Sequence, residues 1–157
     1  MSKGYRFGGF DVTNSVFAES NGYLAMYNIA PIVLGHVLIV PEKLVASLND
    51  LSEDELASFF SFSRKVTKFV VREFKATGFD WTIQDGVSAG QTVSHLHLHI
   101  IPRVEGDFES PGDWYPAFKK SVEENIDSEK RERFSEEEMK KVVSSLCERW
   151  NKLESLI

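Results

Sequence analysis

The hydrophobic residues of this chain form several short runs and two longer stretches with helical spacing. Residues 5–28 contain the short runs YRFGGF and GYLAMYN, and the Asn21-Gly22 pair is typical of a hairpin turn. The run HVLIVP predicts a buried strand that ends at Pro41. Further along, FDWTIQD and residues 93–101 predict two more strands, the second of which is closed by Pro102.

Two helices are predicted from their start signals. Ser52 and Glu55 form a capping box, apolar residues at helical spacing follow, and Gly78 is a candidate stop signal. A second capping box begins at Ser135 and predicts a C-terminal helix over residues 136–153. The order is strands, helix, strands, helix, which predicts an α+β fold with an antiparallel sheet and one long central helix.

The segment between the last strand and the last helix has a different composition. Residues 104–133 combine glycines and prolines with many charges, which predicts a mobile loop. Trp114 and Tyr115 within it either stack on a bound base or anchor the loop. With 157 residues, the chain is predicted to be a single domain, 1–157.

Composition narrows the class of protein. The net charge of −6 argues against a nucleic-acid partner, which normally meets a basic surface. No apolar run approaches the roughly 18 residues of a membrane span, so no membrane partner is expected. Cys147 is the single cysteine, which excludes an intramolecular disulfide and a cysteine-rich zinc site. We therefore expect the protein in a reducing compartment, which is the cytoplasm in the first place and the nucleus in the second.

The most informative residues are three histidines in the segment SHLHLHIIPR. His95, His97 and His99 alternate with apolar residues, and the chain has four histidines in all. On a strand, alternate side chains share one face, so the three imidazoles would project together, roughly 7 Å apart. Leu96 and Leu98 would point into the core.

Three interpretations of these histidines compete. They could be solvated and idle, or two of them could bind zinc, with His36 or an acidic residue completing the site. The first and third histidine are roughly 13 Å apart on a strand, too far to share one metal. The third interpretation is nucleophilic attack on phosphorus by the central ring, with its neighbours donating to phosphate oxygens.

Neutral donors upstream of the histidines favour the third interpretation. Gln84, Gly90, Gln91 and Thr92 provide amides, a flexible backbone and a hydroxyl. Such groups suit an anionic ligand and are poor metal ligands, so no metal site is predicted in the protein.

The segment QDGVSAGQTVSHLHLHIIPR resembles the signature of the histidine triad superfamily. Together with FGGF, LAMYN, PIVLGHVLIVP and DLSEDE, it is similar to the fragile histidine triad branch of dinucleoside polyphosphate hydrolases, the bis(5′-adenosyl)-triphosphatase type. The resemblance covers about Phe7 to Phe108. It implies the fold of that superfamily and the hydrolysis of diadenosine triphosphate, or a related compound, to AMP and ADP.

The resemblance also implies a role for each histidine. His97 would attack the α-phosphorus and form a covalent nucleotidyl-histidine. The carbonyl group of His95 would orient its ring, and His99 would bind phosphate oxygen and assist departure of the leaving group. His36 would support the triad from an adjacent strand.

The remaining implied site residues bind substrate. Gln84, Gln91 and Thr92 would contact the α-phosphate or a bridging oxygen, with Gln84 counted among the catalytic residues. The ribose would meet Asn28. Further positions complete the implied substrate-binding site: Gly90 and Val93, and Phe7, Met26 and Leu38 around the base.

The implied partners are small. A divalent cation, Mg²⁺ or Mn²⁺, would accompany the polyphosphate substrate without a tightly bound cofactor, and the chain would form a homodimer. Two alternatives remain open at this stage. One is a nucleoside phosphoramidate hydrolase, and the other is a nucleotide-binding signalling protein whose turnover is incidental.

Overall fold

The computed structural model describes residues 3–110, 112 and 133–156. In that part of the chain, five strands form an antiparallel sheet, a two-stranded hairpin lies beside it, and two helices are present. The elements are β1 (Arg6–Phe7), β2 (Phe10–Asp11), β3 (Val16–Ser20), β4 (Tyr23–Tyr27), β5 (Val37–Pro41), α1 (Glu53–Glu73), β6 (Gly78–Thr82), β7 (Leu98–Arg103) and α2 (Glu136–Glu154). The predicted α+β class with an antiparallel sheet is confirmed.

The main sheet has the strand order β3-β4-β5-β7-β6. The hairpin between β3 and β4 turns at Asn21 and Gly22, both of which have positive φ, as the sequence pair predicts. Both helices start at the predicted capping boxes, where Ser52 and Ser135 each accept a backbone N–H three residues on.

Helix α1 ends earlier than predicted. Lys75, not Gly78, takes the left-handed conformation after the helix, with φ of 52°. The N–H of Ala76 then donates to Val71 at 2.8 Å, and that of Lys75 to Arg72 at 3.2 Å. This pattern closes the helix as a glycine would have done. The stop signal assigned to Gly78 is therefore wrong, since Gly78 begins β6.

The predicted boundaries of the last two strands are also wrong. Strand β6 stops at Thr82, so Gln84 lies in the following loop. Strand β7 begins at Leu98 instead of residue 93 and continues through Pro102. Proline is tolerated there because the register between β5 and β7 ends at Ile100, and Pro102 pairs with β6 alone.

The two faces of the sheet carry different residues. On one face, α1 packs its buried side chains over the sheet, where Leu96, Leu98 and Ile100 are each at most 1% exposed. Helix α2 adds Trp150, whose ring meets Phe69 edge-on at 5.2 Å. The second face carries a smaller apolar cluster: Phe7, Val12, Met26, Leu38 and Val40.

Part of the sequence-based interpretation lies outside the described residues. This applies to residue 111 and residues 113–132, and with them to Trp114 and Tyr115 in the predicted mobile loop. The described start of that segment is held by Arg103, which donates to both carboxylate oxygens of Asp107 at 2.8 Å. Within the described ranges, neither helix is both long enough and apolar enough to cross a membrane.

Candidate active site

His97 occupies the centre of the site. Its Nδ1–H donates to the main-chain oxygen of His95 at 2.8 Å, which leaves the lone pair on Nε2. The carbonyl can reach the ring because the chain has not yet entered β7. Here the N–H of His95 donates to Val93 at 2.8 Å, and that of Leu96 to Val45 at 2.7 Å. The backbone bonds hold the His95 carbonyl in place, and its bond with Nδ1–H fixes one tautomer of the buried His97 imidazole.

A chain of hydrogen bonds also fixes the proton of His99. The backbone N–H of Ile32 donates to Nδ1 of His36 at 3.2 Å, so His36 carries its own proton on Nε2. That Nε2–H faces Nδ1 of His99 at 2.9 Å and donates to it. A neutral His99 then carries its proton on Nε2, the nitrogen suited to donate to an oxygen of a ligand.

His95 has a structural place beside these rings. Its Nδ1 accepts the backbone N–H of Gly8 at 2.9 Å, and its Nε2–H donates to the carbonyl oxygen of Pro41 at 2.7 Å. The Phe7 ring covers His95 at 5.5 Å and meets His97 edge-on at 5.1 Å. His95 therefore joins the β1–β2 hairpin to the end of β5, and its main-chain oxygen orients the central ring.

Burial sets the charge of the central histidine. It lowers the pKa of His97 below its ordinary value because the charged ring would lose its hydration. The bond to the His95 carbonyl opposes this shift. His97 is thus neutral near pH 7 and keeps a nucleophilic nitrogen. The His97 and His99 rings lie 5.0 Å apart, closer than the roughly 7 Å expected of strand neighbours.

The triad opens into a cavity of about 300 Å³ on the face of the sheet opposite α1. The structure brings many of the predicted site residues to its walls: Phe7, Met26, Asn28, Leu38, Thr92, Val93, His97 and His99. Six further lining residues were not predicted: Phe10, Asp11, Val12, Ser15, Ile29 and Arg133. Four of these six follow Phe7 by three to eight residues in the sequence, whereas no sequence pattern connects Arg133 with the triad.

Five predicted site residues do not line this cavity in the part of the chain described here: Gln84, Gly90, Gln91, His36 and His95. The amide of Gln91 instead accepts the N–H of Gly86 at 2.8 Å and donates to the carbonyl of Ala46 at 2.9 Å. Gln84 packs so closely on Gly90 that a Cβ at that glycine would lie 2.5 Å from its Nε2. In this structure these side chains brace the loop. His36 likewise stands behind His99 and does not line the cavity.

No group of three or more histidine, cysteine or acidic side chains is placed to hold one metal ion, as far as the described residues go. The described polar groups around the cavity are two hydroxyls, an amide, two imidazoles, a guanidinium and a carboxylate, from Ser15, Thr92, Asn28, His97, His99, Arg133 and Asp11. This set can donate hydrogen bonds to an anionic ligand and present one nucleophilic nitrogen to it.

Residues 10–106 match the HIT domain. The chain belongs to the HIT domain family. It is 40% identical over 121 residues to the asymmetrical bis(5′-nucleosyl)-tetraphosphatase of Schizosaccharomyces pombe, covering 77% of this chain and 66% of that protein. It is 35% identical over 133 residues to the bis(5′-adenosyl)-triphosphatase of Dictyostelium discoideum, covering 85% and 83%. These similarities confirm the fragile histidine triad branch.

A solved structure supports the fold. The diadenosine triphosphate hydrolase of Plasmodium falciparum, crystallised with cyclomarin A, superposes with a TM-score of 0.76 and 26% identity. The match covers 97% of this chain and 87% of that one. Relatives differ in length, and the chain spans only 50% of the bis(5′-adenosyl)-triphosphatases of Saccharomyces cerevisiae, at 44% identity.

Proposed function

We propose that this protein hydrolyses dinucleoside polyphosphates, diadenosine triphosphate among them, through a covalent nucleotidyl-histidine at His97. The observation that carries the proposal is a neutral, buried imidazole. Its Nδ1–H is held by the His95 carbonyl, and the ring lines a cavity on the open face of the sheet. Similarity to a bis(5′-adenosyl)-triphosphatase and to an asymmetrical bis(5′-nucleosyl)-tetraphosphatase supports the same reaction.

The first step follows from the tautomer of His97. The Nε2 lone pair attacks the α-phosphorus, an N–P bond forms, and the bond from phosphorus to the bridging oxygen breaks. ADP leaves with that oxygen. No proton has to move, because Nδ1 keeps its hydrogen and the ring takes up a positive charge. The His95 carbonyl, already hydrogen-bonded to Nδ1, stabilises that charge.

His99 assists the same step as a hydrogen-bond donor. Its Nε2–H stabilises negative charge on the departing oxygen or on the phosphoryl group. In the second step, water attacks the phosphorus, the N–P bond breaks and AMP is released. The two protons of the water pass to AMP and to solvent, and His97 returns to its neutral form.

Substrate binding is proposed for the residues around the cavity. Asn28 and Thr92 would bind the ribose and the phosphate, and Phe7, Met26 and Leu38 would enclose the base; support comes from their place on the cavity wall. A contact from Gln91 would require its amide to exchange its two backbone partners for the ligand. Gln84 and Gly90 lie in the same loop, and we propose that they too bind the substrate.

We further propose that Mg²⁺ or Mn²⁺ enters with the polyphosphate as part of the substrate. A cation on the phosphates would offset repulsion from a protein with net charge −6. A homodimer in the cytoplasm is also proposed. One cysteine in the sequence suits a reducing location.

The test compares diadenosine triphosphate, diadenosine tetraphosphate and adenosine phosphoramidate in steady-state hydrolysis with Mg²⁺. We expect the highest kcat/KM for a dinucleoside polyphosphate, with AMP and ADP formed from the triphosphate. The variant His97→Asn should lose activity by at least about 10³-fold while still binding substrate. Preference for the phosphoramidate, turnover far below ordinary enzyme rates, or near-normal activity of the variant would each contradict the proposal.

A further inference from the structure

One positively charged side chain, exposed to solvent, lines the proposed catalytic cavity. Among the described residues that line it, Arg133 is the only arginine or lysine. It is an exposed residue just before α2, and sequence alone gave no reason to connect it with the triad.

The backbone around Arg133 is anchored to the main body of the fold. Phe134 donates its N–H to the carbonyl of Ile29 at 2.9 Å, and its ring packs on Tyr27 at 5.6 Å. The following residue, Ser135, caps α2. Since Ile29 also lines the cavity, these contacts fix the origin of the arginine side chain at the cavity wall.

Among the described residues that line the cavity, the other groups provide no positive charge for a polyphosphate. His97 is neutral near pH 7, and the bonds from Ile32 through His36 select for His99 the tautomer that offers Nε2–H as a donor. Asp11 is the one carboxylate among the described lining residues, and hydrogen bonds from Thr13 lower its pKa, so it is ionised. The phosphates of a dinucleoside triphosphate each carry a negative charge, and a cationic side chain would favour their binding there beyond what an accompanying divalent cation supplies.

Geometry decides which phosphates would meet the arginine. Attack by His97 requires the α-phosphorus at the buried end of the cavity, beside a ring only 7% exposed. The rest of the phosphate chain and the second nucleoside must then extend outward to the exposed rim. A guanidinium there can make paired hydrogen bonds to phosphate oxygens, for which its planar fork is suited.

We propose that Arg133 binds the phosphate chain on the leaving-group side of the α-phosphorus. It thereby makes this site prefer polyphosphate substrates over substrates with a single phosphate. The inference rests on the proposed function, because it concerns the same cavity, and it adds a residue that determines specificity.

The test compares Arg133→Gln with wild type on two substrates that share the attacked phosphate. These are diadenosine triphosphate and the 4-nitrophenyl ester of AMP, which has one phosphate. We expect kcat/KM for the triphosphate to fall about 10-fold or more, the usual effect of losing a hydrogen bond to a charged group. The value for the ester should change less than about twofold, and Arg133→Lys should recover part of the loss. The matched control is Arg64→Gln, an exposed arginine on α1, which should alter neither substrate.

Two kinetic outcomes would overturn the inference. Unchanged kcat/KM values for both substrates would mean that Arg133 does not bind the phosphate chain. An equal loss on both would assign the residue to the structure of the cavity, and a lowered melting temperature would accompany it.

A binding measurement separates this inference from the proposed function. In the His97→Asn background, calorimetry should give at least about 10-fold weaker binding of diadenosine triphosphate when Arg133→Gln is added. Binding of AMP should change less than about twofold. This measurement needs no turnover, so it decides the role of Arg133 even if wild type hydrolyses no dinucleotide. Equal effects on the two ligands would refute the role.

Discussion

At the scale of single residues, His36 controls a proton that the cavity uses without being part of its wall. The Ile32 N–H forces the proton of His36 onto Nε2, and that N–H in turn faces Nδ1 of His99 at 2.9 Å. A side chain in this place that cannot donate to Nδ1 leaves the tautomer of His99 undefined. His36 is therefore a positioning residue.

We predict that His36→Phe lowers kcat/KM for diadenosine triphosphate by about 10- to 100-fold, because one oriented donor of the site is lost. Nitrogen-15 NMR of the imidazoles gives a readout that altered stability would not produce. Wild type should carry the His99 proton on Nε2, whereas the variant should show a mixture of tautomers. A wild-type spectrum with the proton of His99 on Nδ1 would refute the relay.

The pH dependence of activity should reflect the burial of His97. Burial disfavours the charged ring and lowers its pKa, so the nucleophile stays unprotonated as the pH falls through the ordinary imidazole range. Since only the neutral ring attacks phosphorus, kcat/KM should stay flat from about pH 8 down past 6.5 and fall below it. The phosphates of the substrate lack a secondary ionisation and do not obscure this limb. An acidic limb at or above the ordinary histidine value would be inconsistent with a buried, neutral nucleophile.

At the scale of elements, the turn before β5 fixes the backbone position of His36. Gly35 has φ of 88°, and its N–H donates to the Tyr27 hydroxyl at 3.0 Å. A Cβ at Gly35 would lie 2.7 Å from the Phe74 ring and 2.8 Å from Pro102. The end of α1, the end of β7 and this turn therefore meet at one crowded point.

The variants Gly35→Ala and Gly22→Ala separate crowding from backbone strain. Both glycines have positive φ, but a Cβ at Gly22 meets nothing within 4 Å. We expect Gly22→Ala to lower the free energy of unfolding by about 1 kcal/mol, and Gly35→Ala to lower it by about 1–3 kcal/mol more. Urea unfolding measures both. Equal losses would mean that the contacts around Gly35 relax without cost.

The elements that sequence predicts well are those with local signals. A capping serine accepts an N–H three residues away, so Ser52 and Ser135 locate their helices without knowledge of the fold. The start of β7 has no such signal. Its alternating pattern extends back to residue 93, yet the N–H of Leu96 bonds to Val45, which is remote in sequence and draws the chain out of the ladder.

The same distinction applies to the site. The triad is contiguous, so its shared chemistry can be predicted from spacing, and the resemblance of the surrounding motifs adds roles. The partners of Gln91 cannot be predicted this way, because its contact with Ala46 depends on how two loops pack. Arg133 lies at the cavity because Phe134 contacts Ile29 and Tyr27, and no local sequence pattern predicts these contacts.

At the scale of the whole molecule, one face of the sheet carries the main hydrophobic core and the other carries the candidate active site. One face is covered by α1, and the large apolar cluster there holds Leu98 and Ile100 in place. The opposite face, covered by the short β1–β2 hairpin and its neighbours, carries the imidazole of His99 on the same strand and that of His97 just before it. Alternation along β7 thus anchors His99 rigidly from behind while leaving space in front of it.

The edge of the sheet at β6 is the surface we expect a second copy of the chain to cover. Within the ranges that the structure describes, strand β6 pairs with β7 on one side only, whereas α2 packs against β3 at the other edge. Phe79 on β6 is 51% exposed, and its ring lies 6.0 Å from Trp81, which stacks on Phe60 of α1 at 6.1 Å. A sheet edge that carries an exposed aromatic ring, that of Phe79, is suited to association.

The prediction is a dimer that forms through β6. Sedimentation of wild type should give a dimer, and Phe79→Lys should give a monomer at the same concentration, since a lysine on an edge strand opposes pairing. Leu44→Lys is the matched control, because Leu44 is 71% exposed and distant from β6 in the sequence, and it should remain dimeric. A monomeric wild type would refute the dimer itself, and a dimeric Phe79→Lys would move the interface elsewhere. Activity of the monomeric variant then decides a further point: since the described residues of one chain already form the triad cavity, it should retain turnover of the AMP ester.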